Sequence, residues 1–258
     1  MTKILLTGCC GRMGKVITEL AAADEELQIA AGIDIAGEGD GTYPVLRSFD
    51  EVRVRPDVIV DFSSPKAFDA MMDYALEHRI PAVVCTTGLS EEQISRLEED
   101  AKQIAVLRSA NMSLGVNLLL KLVREAAEKL APEGYDIEIV ERHHNQKKDA
   151  PSGTALALAD SINEGLDGAY SYTFDRSERM EKRRPKEIGI SAVRGGNIPG
   201  THEVIFAGTD ELVEFHHIAY SRSIFGKGAL TAAKFLAGKS AKMYSMADVI
   251  GSSGPESS

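Results

Sequence analysis

A glycine loop near the N-terminus does most to limit how this chain can fold. The apolar run Lys3-Ile4-Leu5-Leu6-Thr7 reads as a short buried strand and leads straight into Gly8-Cys9-Cys10-Gly11-Arg12-Met13-Gly14. A helical pattern over 13–23 follows, with Val16, Leu20 and Ala23 near one face. Glycines so placed let the backbone turn sharply from strand to helix and come close to a pyrophosphate. The helix start adds unpaired amides and the positive end of its dipole. The spacing G-x-x-G-x-x-G holds one more residue between its first two glycines than the usual dinucleotide fingerprint. That fingerprint also needs an acid at the end of the second strand, and Asp34 stands 20 residues past Gly14, after the strand-like Gln28–Ile33. A carboxylate there accepts from both hydroxyls of an adenosine ribose and repels a 2′-phosphate. The next residue, Ile35, brings no cation, so the pattern favours NADH over NADPH, although Arg12 and Lys15 are close enough in sequence to blur the preference. The competing readings are a plain strand–helix turn for the glycines and a solvated loop acid for Asp34.

The first half of the chain keeps alternating strand and helix patterns. Val58–Phe62 is an apolar run ending in Ser63-Ser64-Pro65, and a helix pattern continues to His78. Ala82–Cys85 reads as a strand closed by the turn Thr86-Thr87-Gly88. Ser90 with Gln93 makes a capping box for a helix over 91–103, before a strand at Ile104–Leu107. Such alternation predicts parallel βαβ units. The second half differs. A helix pattern from Gly115 to Leu130 is closed by Pro132 and Gly134, and strand-like runs follow at 136–142, 188–194, 202–208 and 211–220, with one helix at 154–164. The expected fold class is therefore α/β: an N-terminal Rossmann-like parallel-sheet domain (1–113 and a returning helical stretch, 225–250) plus a smaller α+β domain with a mixed sheet (114–224). Residues 251–258 read as a flexible tail.

Composition narrows the function. The chain has 258 residues, with 39 acidic against 29 basic side chains and a net charge of −10. An acidic protein does not bind nucleic acid by displacing counterions, and an anionic ligand needs a locally basic pocket. The N-terminal apolar run is too short for a signal peptide, and no apolar stretch is long enough for a membrane span. Cys9, Cys10 and Cys85 form no disulfide framework and have no zinc-ligand spacing, so a cytoplasmic, reducing setting is expected.

The densest local signal is Glu141-Arg142-His143-His144-Asn145-Gln146-Lys147-Lys148-Asp149-Ala150-Pro151-Ser152-Gly153-Thr154-Ala155, which follows a strand and opens a helix. A helix start at Gly153 and Thr154 beside Lys147 makes a carboxylate pocket, and a histidine there donates a proton near neutral pH. The bland alternatives are a structural histidine pair, solvated lysines, and Ser152 as a simple helix cap with Pro151 near the first helical position. Elsewhere, 176–186 holds six basic and two acidic residues and reads as a solvated face. His216 and His217 fall on opposite faces of one strand, and His202 is a further residue near the site.

These segments together resemble dihydrodipicolinate reductase, also called 4-hydroxy-tetrahydrodipicolinate reductase. The long E-x-H-H-x-x-K-x-D-A-P-S-G-T-A signature carries the resemblance. The glycine loop, Thr86-Thr87-Gly88, Ser109–Asn117, Arg194–Ile198 and the stretch from His216 to Ala229 follow in the family's order. The resemblance covers nearly the whole chain except the tail. It implies reduction of a small cyclic dicarboxylate by NADH or NADPH in the diaminopimelate route to lysine, by a homotetramer of two-domain subunits. Carried over residue by residue, His143 is the catalytic acid and Lys147 the second catalytic residue, contacting a substrate carboxylate. His144, Gly153 and Thr154 bind substrate, and Arg222 is a further cation for that pocket. Gly8, Cys9, Cys10, Gly11, Arg12, Met13 and Asp34 bind cofactor, as do Cys85, Thr86, Thr87, Ser109, Ala110, Asn111 and Met112. No metal is implied. The chain departs from the family's pattern at Cys85, often Gly, at Met112, often aromatic, and at Ile35, basic in members that use NADPH readily. NADH is therefore the expected preference, with NADPH also taken.

Overall fold

The computed structural model describes residues 1–39, 41–177 and 179–252. The chain runs through β1 (Thr2–Thr7), α1 (Arg12–Ala22), β2 (Leu27–Ile33), β3 (Val45–Leu46), β4 (Val58–Asp61), α2 (Phe68–His78), β5 (Ala82–Val84), α3 (Glu91–Asp100) and β6 (Ala105–Arg108). It continues through α4 (Leu114–Leu130), β7 (Asp136–His143), α5 (Gly153–Gly165), β8 (Ser171–Thr173), β9 (Glu187–Arg194), β10 (Gly200–Ala207) and β11 (Leu212–Ala219), and ends with α6 (Ser223–Leu236), β12 (Lys242–Tyr244) and α7 (Met246–Gly251). Two compact units result: Met1–Leu114 together with the chain from Arg222 onward, and Gly115–Ser221. No helix among the described residues is long and apolar enough to cross a membrane.

The first unit is a seven-stranded sheet in the order β12-β6-β5-β4-β1-β2-β3, with every pair parallel. Parallel strands covered on both faces are buried on both faces, which is why β1 and β4 read as unbroken apolar runs. Ile4 and Leu6 face one apolar cluster with α1, α6 and α7, while Leu5 and Ile59 face the other with α2 and α3. The Ser90–Gln93 capping box forms as expected, with the Gln93 amide donating to Ser90 Oγ at 3.3 Å and the Ser90 amide to Gln93 Oε1 at 3.1 Å. From β1 the chain builds outward to β2 and β3 on one side, then crosses to β4 on the other. The carboxyl ends of β1 and β4 flank the point where strand order reverses, where open α/β sheets bind ligands.

Details of the helices differ from the sequence pattern. α1 buries Gly14, Ile17 and Ala21, whereas Ala23 caps the helix and is exposed. Val16 and Leu20 instead face α6, whose Gly226 leaves room: a Cβ there would lie 2.8 Å from Leu20 and 3.2 Å from Val16. The stretch 225–250 is not one helical segment. Gly238, at φ +79°, follows the end of α6, and Lys242–Tyr244 adds an edge strand beside β6. Gly251 belongs to α7 and Ser252 caps it, while 253–258, the rest of the expected tail, lie outside the described residues. α6 also passes very close to the β6–α4 link: a Cβ on Gly228 would fall 1.6 Å from the Met112 carbonyl oxygen. Gly228→Ala is expected to cost about 3 kcal/mol, the upper end for overpacking, read as a lower denaturant midpoint. An unchanged midpoint would show that α6 shifts freely.

The second unit is a five-stranded mixed sheet, β11-β10-β7-β9-β8. β10 is antiparallel to both β11 and β7, while β9 is parallel to β7 and β8. α4 and α5 cover one face through Val123, Ala127, Leu158 and Ile162, packed on Ile137, Ile139, Ile188, Val204 and Phe206. Side chains alternate along a strand, so the core face of β7 runs Ile137, Ile139, Glu141, His143. The carboxyl end of an apolar face thus turns polar, and the register sets Glu141 opposite His202 and His143 opposite Arg194. The basic stretch 176–186 is largely exposed among its described residues, as expected, but three of its arginines are tied to carboxylates of the sheet. Arg176 and Arg183 bind Glu138, Arg176 and Arg179 bind Glu187, and Arg183 also binds Asp136, all at 2.6–3.1 Å.

Candidate active site

In the first unit the glycine loop lies at the strand-order reversal. Gly8 has φ +73°, and a Cβ on it would sit 2.4 Å from the Phe62 carbonyl oxygen at the end of β4. A Cβ on Gly14 would sit 2.3 Å from the Cys9 carbonyl oxygen. Only glycine fits either place, so the loop hugs the sheet and α1 starts directly behind it, with Gly11 as its cap.

Two cavities open on either side of this loop, and Gly11 lines both. The first, about 680 Å³, takes Cys9, Cys10, Lys15, Asp34 and Tyr43. The second, about 420 Å³, takes Arg12, Met13, Cys85, Thr86, Thr87, Ser109, Ala110 and Met112, with Phe62 and Phe225. Most of the sequence-derived cofactor set therefore lines one or other of these two cavities. Gly8 lines neither and instead lets the loop approach Phe62 closely. Asn111 turns inward, its side chain accepting from the Ser113 amide at 2.9 Å. Cys85 is 7% exposed and packs mainly in the apolar cluster, where burial pushes its thiol up. Thr86 Oγ1 is buried with no hydrogen-bond partner among the described residues. A buried hydroxyl in that condition, on the wall of the second cavity, fits a polar ligand.

Asp34 ends β2 and ties the loop down: Oδ2 accepts from the Cys10 amide and Oδ1 from the Ala36 amide, each at 2.9 Å. Lone pairs remain on both oxygens. Sequence reasoning missed Arg47, whose guanidinium donates to the Ile35 carbonyl. Its partner lies 12 residues earlier, and only the pairing of β3 with β2 brings them together.

In the second unit the polar end of the sheet centres on Glu141, which is fully buried. Its carboxylate accepts from Arg194 Nη1 and Nη2 at 2.7 Å each, from His143 Nδ1 at 2.6 Å and from the Ser152 amide at 2.9 Å. Burial pushes this carboxyl up, but the hydrogen bonds from Arg194, His143 and Ser152 outweigh it, and the net shift is below the ordinary range. Since Glu141 takes Nδ1–H, Nε2 is the nitrogen of His143 left for chemistry. A Cβ at Gly200 would lie 3.1 Å from that Nε2, so glycine keeps it open. Glu141 could have been found from sequence, because residues two apart on a strand share a face.

His202 does lie beside His143, ring centroids 5.2 Å apart, and its Nε2 meets Ser152 Oγ at 2.9 Å. Burial, with His143 and His217 adding to it, pushes His202 down to about 4, so it stays neutral and is no proton donor at neutral pH. Ser152 caps α5, accepting from the Ala155 amide at 3.2 Å. The helix starts at Gly153, and Pro151 stands outside the cap rather than at the first helical position. Lys147 Nζ pairs with Asp149 Oδ2 at 2.9 Å. The hydrogen bond and charge of Lys147 outweigh partial burial and hold the Asp149 carboxyl low. A carboxylate of the chain itself thus rests on Lys147. His144 follows at the end of β7, half-buried. Arg222 belongs to the first unit, where it opens α6. His216 and His217 do take opposite faces: His217 stacks toward His202 at 6.3 Å, and His216 meets Glu214 at 3.4 Å.

Comparison with known proteins agrees with this arrangement. The family model described as dihydrodipicolinate reductase, N-terminus, matches residues 2–112, and its C-terminus counterpart matches 115–250. The 4-hydroxy-tetrahydrodipicolinate reductase of Caldanaerobacter subterraneus subsp. tengcongensis is 49% identical over 250 residues, 97% of this chain and 98% of the relative. That of Clostridium novyi is 45% identical over 250 residues, with the same coverage. The dipicolinate-bound dihydrodipicolinate reductase of Paenisporosarcina sp. TG-14 has the same fold, with a TM-score of 0.81 at 23% identity over 95% of this chain and 97% of that one. With both halves matched by one family and relatives this similar along nearly its full length, the chain belongs to the dihydrodipicolinate reductase family.

Proposed function

We propose that this chain reduces 4-hydroxy-tetrahydrodipicolinate to tetrahydrodipicolinate with NAD(P)H, in the diaminopimelate route to lysine. The observation that carries the reading is the carboxylate of Asp149 paired with Lys147 in the loop that joins α5 to the strand bearing His143, a histidine anchored on Glu141. That carboxylate marks the place for one carboxylate of a cyclic dicarboxylate, which displaces it. Lys147, Gly153 and Thr154 take the incoming anion, and His144 closes on the same substrate. His143 Nε2 gives a proton to the carbon next to the one that is reduced, while Glu141 keeps the ring oriented and supports its positive charge. The second unit, Gly115–Ser221, is the substrate-binding and oligomerisation domain expected over 114–224.

The first unit is the dinucleotide-binding domain. A reduced nicotinamide bound there supplies the hydride. Gly8–Met13 hold the pyrophosphate, Cys85–Thr87 and Ser109–Met112 flank the nicotinamide half, and Asp34 takes the ribose hydroxyls. NADH is the preferred donor. NADPH is also accepted, with Lys15 of the same cavity as Asp34 and Arg47, bound to the Ile35 carbonyl, as the cations on that side. Asp34→Ala is expected to weaken NADH about tenfold or more, the worth of a hydrogen bond to a charged group, and NADPH less. Equal losses for both would remove Asp34 from the ribose.

The sheet face of the second unit opposite α4 and α5 carries Leu212 and Ile218, 56% and 44% exposed, which supports self-association to a homotetramer through that face. Free Cys9, Cys10 and Cys85 fit a reducing cytoplasm. The decisive assay is NADH and NADPH oxidation on adding the product of the preceding synthase. No oxidation with either donor would overturn the reading. Pyridine-2,6-dicarboxylate soaked into crystals is expected to place a carboxylate on Lys147 and Gly153.

A further inference from the structure

The glycine loop carries two neighbouring thiols that the reductase chemistry does not use. Cys9 Sγ and Cys10 Sγ stand 3.9 Å apart, and with an Asp34 oxygen the three donor atoms lie within 4.8 Å of one another. In a tetrahedral site with metal–sulfur bonds of about 2.3 Å, the sulfur–sulfur edge is about 3.8 Å. The two thiols already span that edge, and the carboxylate reaches the third corner by closing about 1 Å.

Space for both sulfurs is built into the fold. A Cβ at Gly32 would fall 2.5 Å from Cys9 Sγ, and one at Gly37 would fall 2.3 Å from Cys10 Sγ. All three donors line the first cavity, which gives an ion its entry path. The Cys10 and Ala36 amides hold the Asp34 carboxylate from behind, as outer-shell donors do in metal sites. Burial pushes the Cys9 thiol up to about 12, and the Cys10 sulfur and the Asp34 carboxylate add to it. Three donor groups meet at one point, and a cation there takes the place of the thiol protons on binding.

We propose that Cys9, Cys10 and Asp34 form a site for a thiophilic divalent cation of the zinc and cadmium class, with water as fourth ligand. Binding releases the two thiol protons and leaves the sulfurs as thiolates on the ion. If the dinucleotide lies on this loop as proposed, ion and dinucleotide exclude each other, because both need Asp34.

The full chain, reduced with a phosphine and free of nucleotide, is titrated with cadmium while the thiolate-to-cadmium charge-transfer absorption is followed. One equivalent is expected to saturate the band. Cys10→Ser is expected to abolish it, Asp34→Asn to weaken binding about tenfold, and Cys85→Ser to retain it. Absence of the band, or its persistence in Cys10→Ser, would overturn the site. The cadmium NMR resonance of the unmutated chain separates two-sulfur from oxygen-only coordination, and an oxygen-only shift would overturn the site without any variant. Added NADH is expected to bleach the band. A band that forms but resists NADH leaves the ion site standing and overturns the mutual exclusion.

Discussion

Replacing His143 by Gln is expected to lower kcat by about 100- to 10,000-fold, the usual worth of a general acid, and to change KM for the cyclic dicarboxylate only a few-fold. The split follows from the division of labour around α5. Lys147, which pairs with Asp149 in the ligand-free chain, supplies the grip on a carboxylate. His143 supplies the proton through Nε2, with Nδ1 fixed on Glu141 at 2.6 Å. Gln keeps roughly the size and polarity of the ring but has no proton to deliver. Steady-state kinetics with saturating NADH read both constants, and an unchanged kcat would take His143 out of the chemistry. His202 cannot stand in, since burial keeps it neutral down to about 4.

Glu141→Gln is expected to cost about 3 kcal/mol of folding stability, because removing one partner of a buried ion pair leaves the other uncompensated. Arg194, 19% exposed, recovers part of its hydration, which places the effect at the lower end of that range. The pH dependence carries the sign. The folded carboxyl titrates below its ordinary value of 4.5, so its contribution is complete above that value and is lost as pH falls through the lower, folded one. Denaturation series below about pH 5 are therefore expected to show a steep loss in the wild type and a shallower one in the variant. Parallel acid limbs would show that Glu141 is not the group responsible. The kcat–pH profile of Glu141→Gln is expected to shift as well, since the amide cannot support a charged imidazole as a carboxylate does.

Local spacing carries what can be read before folding, and long-range pairing hides the rest. The glycine loop, the acid at Asp34 and the Ser90 capping box are legible because each is a contact between near neighbours or a fixed offset within one βα unit. The signature around His143 is legible for the same reason. Arg194 as the partner of Glu141 is not, because it reaches that carboxylate across 53 residues. The pairing of Arg176 in the basic stretch is hidden too, because only β7 and β9 bring Glu138 and Glu187 beside it. Lys242–Tyr244 has only three residues and lies between two helical patterns, so nothing local marks it as a strand. The free edge of β6 decides its conformation.

The split of the first unit around the second reverses the order in which the two can mature. Residues 115–221 are contiguous and hold their own core. The first unit waits for the chain beyond Ser221: Ala229, Leu230, Ala232, Ala233 and Leu236 of α6 share a cluster with Ile4 and Leu6, and β12 closes the sheet. A nascent chain stalled just past Ser221 therefore carries a finished later half, while its earlier half shows an unfilled hollow and an open strand edge. Such edges invite pairing with other chains, so the segment after Ser221 protects the one before Gly115.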